Sequence, residues 1–225
     1  MLEELSNGIW TQVEPLSMMG IQFGNRTTVI KLDDNNLLLH SPGRLTEKFK
    51  NNLDELGKVK YIVAPNYYHS LFFEKYVEAY SEVEIFMAPK LEKKRSDIPC
   101  SGVLGSIPLI HWSAELEQHL VEGLPAFNEV VFCHKPSKTL ILTDLAVNML
   151  NPKGIMTNIH FFVHGANRRF AFSRIVKMMI KDKNAFSKSL QLIMNWDFDR
   201  ILVSHGEIIA SDGKKTMENT FSSYL

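Results

Sequence analysis

Residues 59–73 read VKYIVAPNYYHSLFF, and this stretch decides the fold. Val59 to Ala64 is a nearly continuous apolar run rich in β-branched side chains, the pattern of a strand buried on both faces. Pro65 and Asn66 break the run. From Ser70 to Tyr80 the residues Leu71, Phe72, Tyr76, Val77 and Tyr80 then recur at helical spacing. A strand that runs straight into a helix is half of a strand–helix–strand unit, whose strands pair in parallel through a right-handed crossover.

The same unit lies on either side. Upstream, Leu37 to His40 is a strand ended by Ser41-Pro42-Gly43, and a helix follows from Thr46, whose hydroxyl suits an N-cap. Phe49, Leu53 and Leu56 line one face of that helix, and Gly57 closes it. Downstream, Val83 to Ala88 is a strand that leads into a Lys/Arg-rich helix or loop through Arg95. Gly8 to Val13 and Thr27 to Leu32 read as strands. Asp33-Asp34-Asn35-Asn36 turns residues 27–40 into a hairpin, and Met18 to Asn25 reads as an irregular loop.

The second half begins after a long loop at 98–108. Leu116 to Leu120 reads as a short strand or helical turn, and Glu129 to Cys133 and Thr139 to Thr143 form a hairpin about Lys135–Lys138. Residues 145–170 show no clear period. Phe170 to Lys181 and Ala185 to Trp196 read as amphipathic helices, the second capped by Asn184 or a neighbour, and Arg200 to Val203 is a last buried strand. With no internal repeat and no linker, residues 1–225 read as one domain.

Composition narrows the function classes. Lys plus Arg and Asp plus Glu are 25 each, so no global field favours nucleic acid or a membrane surface. Two cysteines, Cys100 and Cys133, form neither a disulfide framework nor a zinc-finger pair. No apolar leader or 18-residue apolar run is present, and a cytoplasmic protein is expected. The surplus lies in eight histidines. His40, His69 and His205, with Asn66 and Asp144, follow directly on strands, where parallel sheets gather their ligands. Imidazole nitrogen and carboxylate oxygen at such a place suit Zn, Fe or Mn. His111, His119, His160 and His164 have no strand-end position and read as structural or surface residues, and Cys133 reads as a small buried hydrophobe.

In this order the segments resemble the metallo-β-lactamase superfamily, and more narrowly its DUF4336 branch: His40-Ser41-Pro42, Ala64-Pro65-Asn66 with His69, Phe132-Cys133-His134 through Asp144, and His205-Gly206. The resemblance implies a four-layer αββα sandwich and a metal-dependent hydrolase. It also exposes departures. Where active members carry H-x-H-x-D-H, this chain has Asn66, Tyr68, Ser70 and Leu71 at the ligand positions, with His69 out of register, and the middle histidine near Leu124 or Pro125 is absent. Asp144 and His205 match. Adding His69, with His134 from the neighbouring strand end, makes three or four ligands, enough for one metal and too few for two.

Two functions follow from the resemblance. The first is a single-metal hydrolase of a small ester, thioester, lactone or phosphoester. In it His69, Asp144 and His205 hold the ion, His134 or Tyr68 acts as acid/base or oxyanion donor, and His40, Ser41 and Asn66 line the site. The second is a catalytically inactive, metal-free binding or regulatory protein on the same fold. A third and weaker reading, nucleic-acid processing, rests on Lys90, Lys93, Lys94 and Arg95 and on Arg168-Arg169, charges that more often form a solvated face. The partner expected is a small molecule, with no membrane contact.

Overall fold

The computed structural model describes residues 1–6, 8–32 and 34–225. In chain order it runs β1 (Glu3–Ser6), β2 (Ile9–Glu14), β3 (Ser17–Met18), β4 (Ile21–Gln22), β5 (Asn25–Lys31), β6 (Asn36–His40), α1 (Glu47–Leu56), β7 (Lys58–Ala64), α2 (Phe73–Ala79), β8 (Glu84–Met87), α3 (Leu91–Lys94) and β9 (Gly102–Val103). The second half runs β10 (Leu116–Leu120), β11 (Val130–His134), β12 (Thr139–Leu142), β13 (Val147–Asn148), α4 (Ile155–Val163), β14 (Phe170–Ala171), α5 (Arg174–Met178), α6 (Lys183–Met194), β15 (Arg200–Val203) and α7 (Gly213–Phe221).

One sheet has the order β1-β2-β5-β6-β7-β8-β9 and the other β10-β11-β12-β15. Strands β6 to β9 are parallel, as the strand–helix repeat requires, and β12 pairs in parallel with β15. The two sheets face each other across a core of Ile30, Leu38 and Val63 from the first and Phe132, Ile141 and Leu202 from the second. Alternate residues of the same strands point outward. Leu39, Ile62 and Ile85 pack on Phe49, Leu53 and Tyr76 of α1 and α2, while Val131, Leu140 and Ile201 pack on Leu190 and Ile193 of α6 and on Phe221 of α7. The layers are therefore helix, sheet, sheet, helix, the αββα sandwich. Parallel strands turn their carboxyl ends the same way, so β6, β7, β12 and β15 deliver Ser41, Asn66, Asp144 and His205 to one edge.

Local rules account for most of the elements. Thr46 caps α1 by accepting from the Phe49 N–H, and the Gly57 N–H closes the helix on Leu53. The 27–40 hairpin forms, with Thr28 opposite His40, although Asp33 of its turn lies outside the described residues. The expected loop at 18–25 is a small hairpin, β3 with β4. The helix expected over Phe170–Lys181 is a correction: Phe170 and Ala171 pair with Asn148 and Val147 as a strand, and Ser173 caps a shorter α5. The helical spacing there was formed by Val176 and residues that serve other neighbours. Residues 145–170, without a clear period, contain β13 and α4, and α7 at the C-terminal end buries Met217 and Phe221. No helix among the described residues is long and apolar enough to cross a membrane.

Arg26 ties the two sheets together at the site edge. It is buried in β5, and its guanidinium donates to the Val203 carbonyl (2.9 Å), the Gly206 carbonyl (2.7 Å) and Thr11 Oγ1 (3.2 Å), while its N–H bonds the Ser204 carbonyl. Replacing Arg26 by Met keeps the bulk but leaves two carbonyls at the end of β15 without donors. Denaturant unfolding should show a loss of about 2–4 kcal/mol.

Candidate metal centre

Asp144 follows β12, and its carboxylate sits between two imidazoles. His69 Nε2 lies 3.3 Å from Oδ2, and His205 Nε2 lies 3.3 Å from Oδ1. The rings of the two histidines are 5.4 Å apart. One ligand atom from each of His69, Asp144 and His205 can be chosen so that all three lie within 4.8 Å of one another.

Each side chain is held from behind. Asn66, fully buried at the end of β7, donates its amide to Asp144 Oδ2 (2.7 Å) and Thr143 Oγ1 (2.9 Å), and its own Oδ1 accepts the N–H groups of Tyr68 and His69. That turn swings His69 inward and leaves Tyr68 and Leu71 half exposed. Ser41 Oγ bonds His69 Nδ1, and His205 Nδ1 donates to the Gly24 carbonyl (2.7 Å). Gly206 has φ +104°, and a Cβ there would lie 2.1 Å from the Asn148 carbonyl, so the chain after His205 closes on a neighbour that only glycine admits.

The donor set fits a divalent cation. Because the Gly24 carbonyl can only accept, Nδ1 of His205 carries the proton, and a neutral His205 turns the Nε2 lone pair toward a carboxylate. The contact is favourable with a proton on Nε2 or with a metal ion shared by both groups. Ligand bonds of about 2.0–2.2 Å at tetrahedral angles place neighbouring donor atoms about 3.3–3.6 Å apart. Each imidazole lies at 3.3 Å from one oxygen of the carboxylate, His69 from Oδ2 and His205 from Oδ1, and one donor from each of the three residues falls within 4.8 Å of the others. A backbone carbonyl on the far nitrogen is the usual support of a metal-binding histidine. Burial works to raise Asp144, but the facing His69 and His205 override it and hold the carboxyl below its usual range. Burial alone would lower His205, and the Asp144 carboxylate reverses that, raising it.

A further carboxylate, unread in the sequence, anchors Asp144. Glu129 is fully buried just before β11. Its oxygens accept the N–H groups of Thr143 (2.7 Å), Asp144 (2.8 Å) and Leu145 (2.7 Å). Burial and the Asp144 charge push it up to about 7, against the pull of those N–H bonds. The only sequence signal is an acidic residue at the mouth of an apolar strand.

Other expected site residues are placed elsewhere. His134 ends β11 opposite Thr139, at the turn of the hairpin. Asp144 lies five residues beyond Thr139, so at about 3.3 Å per residue His134 is about 16 Å away. It bonds Ser137 Oγ (2.7 Å), so it neither touches Asp144 nor serves the centre as ligand or acid/base, and that expectation is corrected. His40 is buried behind Ser41, edge-on to Phe132, with Nε2 unpartnered among the described residues; burial and then His69 push it down to about 3. Asn66 likewise stands behind the site instead of lining it.

The centre opens into a cavity of about 420 Å³ whose wall includes His69, Asp144, His205, Ser41, Tyr68 and Phe127. His160 and His164, expected to be structural or surface residues, also line it; their rings are 4.4 Å apart, and Phe23 packs between His160 and His205. Tyr68 and Leu71, at positions where the resemblance sets ligands in active superfamily members, also line it.

A family model described as a domain of unknown function, DUF4336, matches residues 6–160. The chain belongs to the DUF4336 family. No curated protein matches its sequence. Among solved structures, this DUF4336 chain is similar to a metallo-β-lactamase from Pontibacter korlensis (13% identity, 97% of this chain and 99% of that one, TM-score 0.64). It is also similar to one from Hirschia baltica (11%, 100% and 97%, 0.66) and to FIM-1 from Pseudomonas aeruginosa, solved in its mono-zinc form (9%, 100% and 94%, 0.67). The DUF4336 chain thus has the metallo-β-lactamase fold.

Two substitutions probe this layout. In Glu129→Gln an amide must face backbone donors, and thermal or denaturant unfolding should register a loss of about 1–3 kcal/mol. His134 is pushed down to about 4 by burial, so the folded state resists a proton that the unfolded chain accepts. Stability should therefore be complete above about pH 6.5 and fall as the pH drops toward 4. In His134→Gln that acid limb of a melting-temperature profile should flatten.

Proposed function

We propose that the protein is a hydrolase with one divalent metal, acting on a small ester, thioester, lactone or phosphoester. The observation that carries this is that His69, Asp144 and His205 bring one ligand atom each to within 4.8 Å of one another in the wall of a cavity. The fold is shared with metallo-β-lactamases, one of them solved with a single zinc, which supports a one-metal site without supplying a substrate. Zn suits two imidazoles and a carboxylate, and Fe or Mn is compatible with the same set.

When bound, such an ion lowers the pKa of a coordinated water and polarises the substrate's carbonyl or phosphoryl oxygen. The chain's own residues prepare that chemistry. Asn66 fixes the rotation of the Asp144 carboxylate, Ser41 and the Gly24 carbonyl fix the two imidazole planes, and Glu129 fixes the backbone that carries Asp144. Tyr68, packed edge-on against Phe127 in the cavity wall, is the phenol we assign as donor to a leaving group or oxyanion. The apolar walls exclude water and favour a small substrate with an apolar body.

The rival reading is a metal-free binding protein, in which a protonated His205 neutralises Asp144 and the Asn66 amide completes its hydrogen bonds. Elemental analysis of reconstituted protein separates the two. The hydrolase reading expects about one equivalent of transition metal, lost in Asp144→Asn and His205→Ala, and a melting temperature that falls on chelation in the wild type alone. Metal below about a tenth of an equivalent, with no response to chelator, overturns it.

A further inference from the structure

Helix α4 is apolar on both sides. Its inner side buries Thr157 and Phe161, and outside it Ile155, Met156, Ile159, Phe162 and Val163 are exposed, Phe162 by 72% and Ile155 by 80%. Nearby, Met178 of α5 is 83% exposed, and the β3–β4 hairpin that packs on α4 through the Gln22 N–H to Thr157 carries an equally bare Met19. Scattered apolar side chains on a surface are ordinary, but a contiguous helix face of this kind marks a contact surface.

Charge says what it contacts. Between Asp144 and Asp182 the chain has no Asp or Glu, yet it carries Lys153, Arg168, Arg169, Arg174, Lys177 and Lys181. These six are all exposed, and none has a carboxylate in ion-pair range among the described residues. Arg169 and Arg174 sit at the C-terminal end of α4, on the Gly165 and Val163 carbonyls, and Lys153 stands just before its start. In a chain with equal numbers of acids and bases, the positive charge of Lys153, Arg168, Arg169 and Arg174 borders the ends of the exposed apolar helix, with Lys177 on α5.

We infer that the α4–α5 face docks on an anionic lipid surface, with Ile155, Ile159 and Phe162 entering the headgroup boundary and the basic residues meeting lipid phosphates and carboxylates. A short helix with large apolar side chains and a basic surround suits an interfacial position, not a spanning one. A second copy of the chain is disfavoured, because a two-fold contact sets the same patch on itself and brings like charges together. Nucleic acid meets the charges but offers no place for five exposed apolar side chains of one helix. The inference does not depend on the metal or on hydrolysis.

Flotation of the full-length protein with vesicles tests it. Phosphatidylcholine vesicles containing about 30 mol % phosphatidylserine should carry the protein, pure phosphatidylcholine vesicles much less, and raised salt should release it. Ile159→Ser with Phe162→Ser, and separately Lys153→Glu with Arg168→Glu, should each weaken binding about tenfold or more at an unchanged melting temperature. Failure to bind the anionic vesicles at low salt overturns the inference. So does single-stranded RNA binding that the serine pair leaves intact while vesicle binding is absent, or a dimer in sedimentation that the serine pair dissociates without any vesicle binding.

Discussion

The Asp144 carboxylate is the point on which the site edge depends. It joins the two sheets through side chains alone, with Asn66 and His69 arriving from β7 and His205 from β15. A buried negative charge is tolerated only when hydrogen-bonded and neutralised, and here the neutralising groups are also the groups that bind metals. The demand is doubled by Glu129, a second buried carboxylate bonded to the Asp144 N–H. The Asp144 charge raises the cost of ionising Glu129, and the imidazoles facing Asp144 offset the cost of its own burial.

The surrounding scaffold serves that point. Arg26 pins the end of β15 to the first sheet, and Gly206 lets the chain close on Asn148 directly after His205. A rigid edge formed from several strand ends holds the donors without help from long loops. The 66–70 loop departs from the family's ligand pattern, yet its Asn66 turn presents His69 to the same carboxylate. The side-chain-bonded turn thus brings one imidazole to the carboxylate from a position next to those of the superfamily pattern.

The two proposals concern different faces of one helix. His160 and Phe161 of α4 belong to the cavity wall, whereas Ile159 and Phe162 face outward. An apolar substrate and a lipid surface are compatible partners for such an element. The neutral total charge concealed this, because acids elsewhere balance the basic stretch between Asp144 and Asp182. Local charge density, not the sum, sets the potential that a surface meets within a Debye length.

Periodicity and punctuation in the sequence determined the strand–helix repeats, the Thr46 and Gly57 caps and the placing of His69, Asp144 and His205 after strands, because these depend on near neighbours in the chain. What failed depended on direction and distance. His134 ends one strand of a hairpin and Asp144 follows the other, but the strands of a hairpin end at opposite sides, so the turn carries His134 away. Phe170 and Ala171 satisfy a helical period yet pair with β13, since partners distant in sequence outweigh local preference. Glu129 reads as the start of a strand, and only packing turns it toward three backbone N–H groups. The outward face of α4 is likewise a tertiary fact: apolar residues lie on both sides of the helix, and which of them remain bare was decided by how the hairpin and the cavity cover the rest.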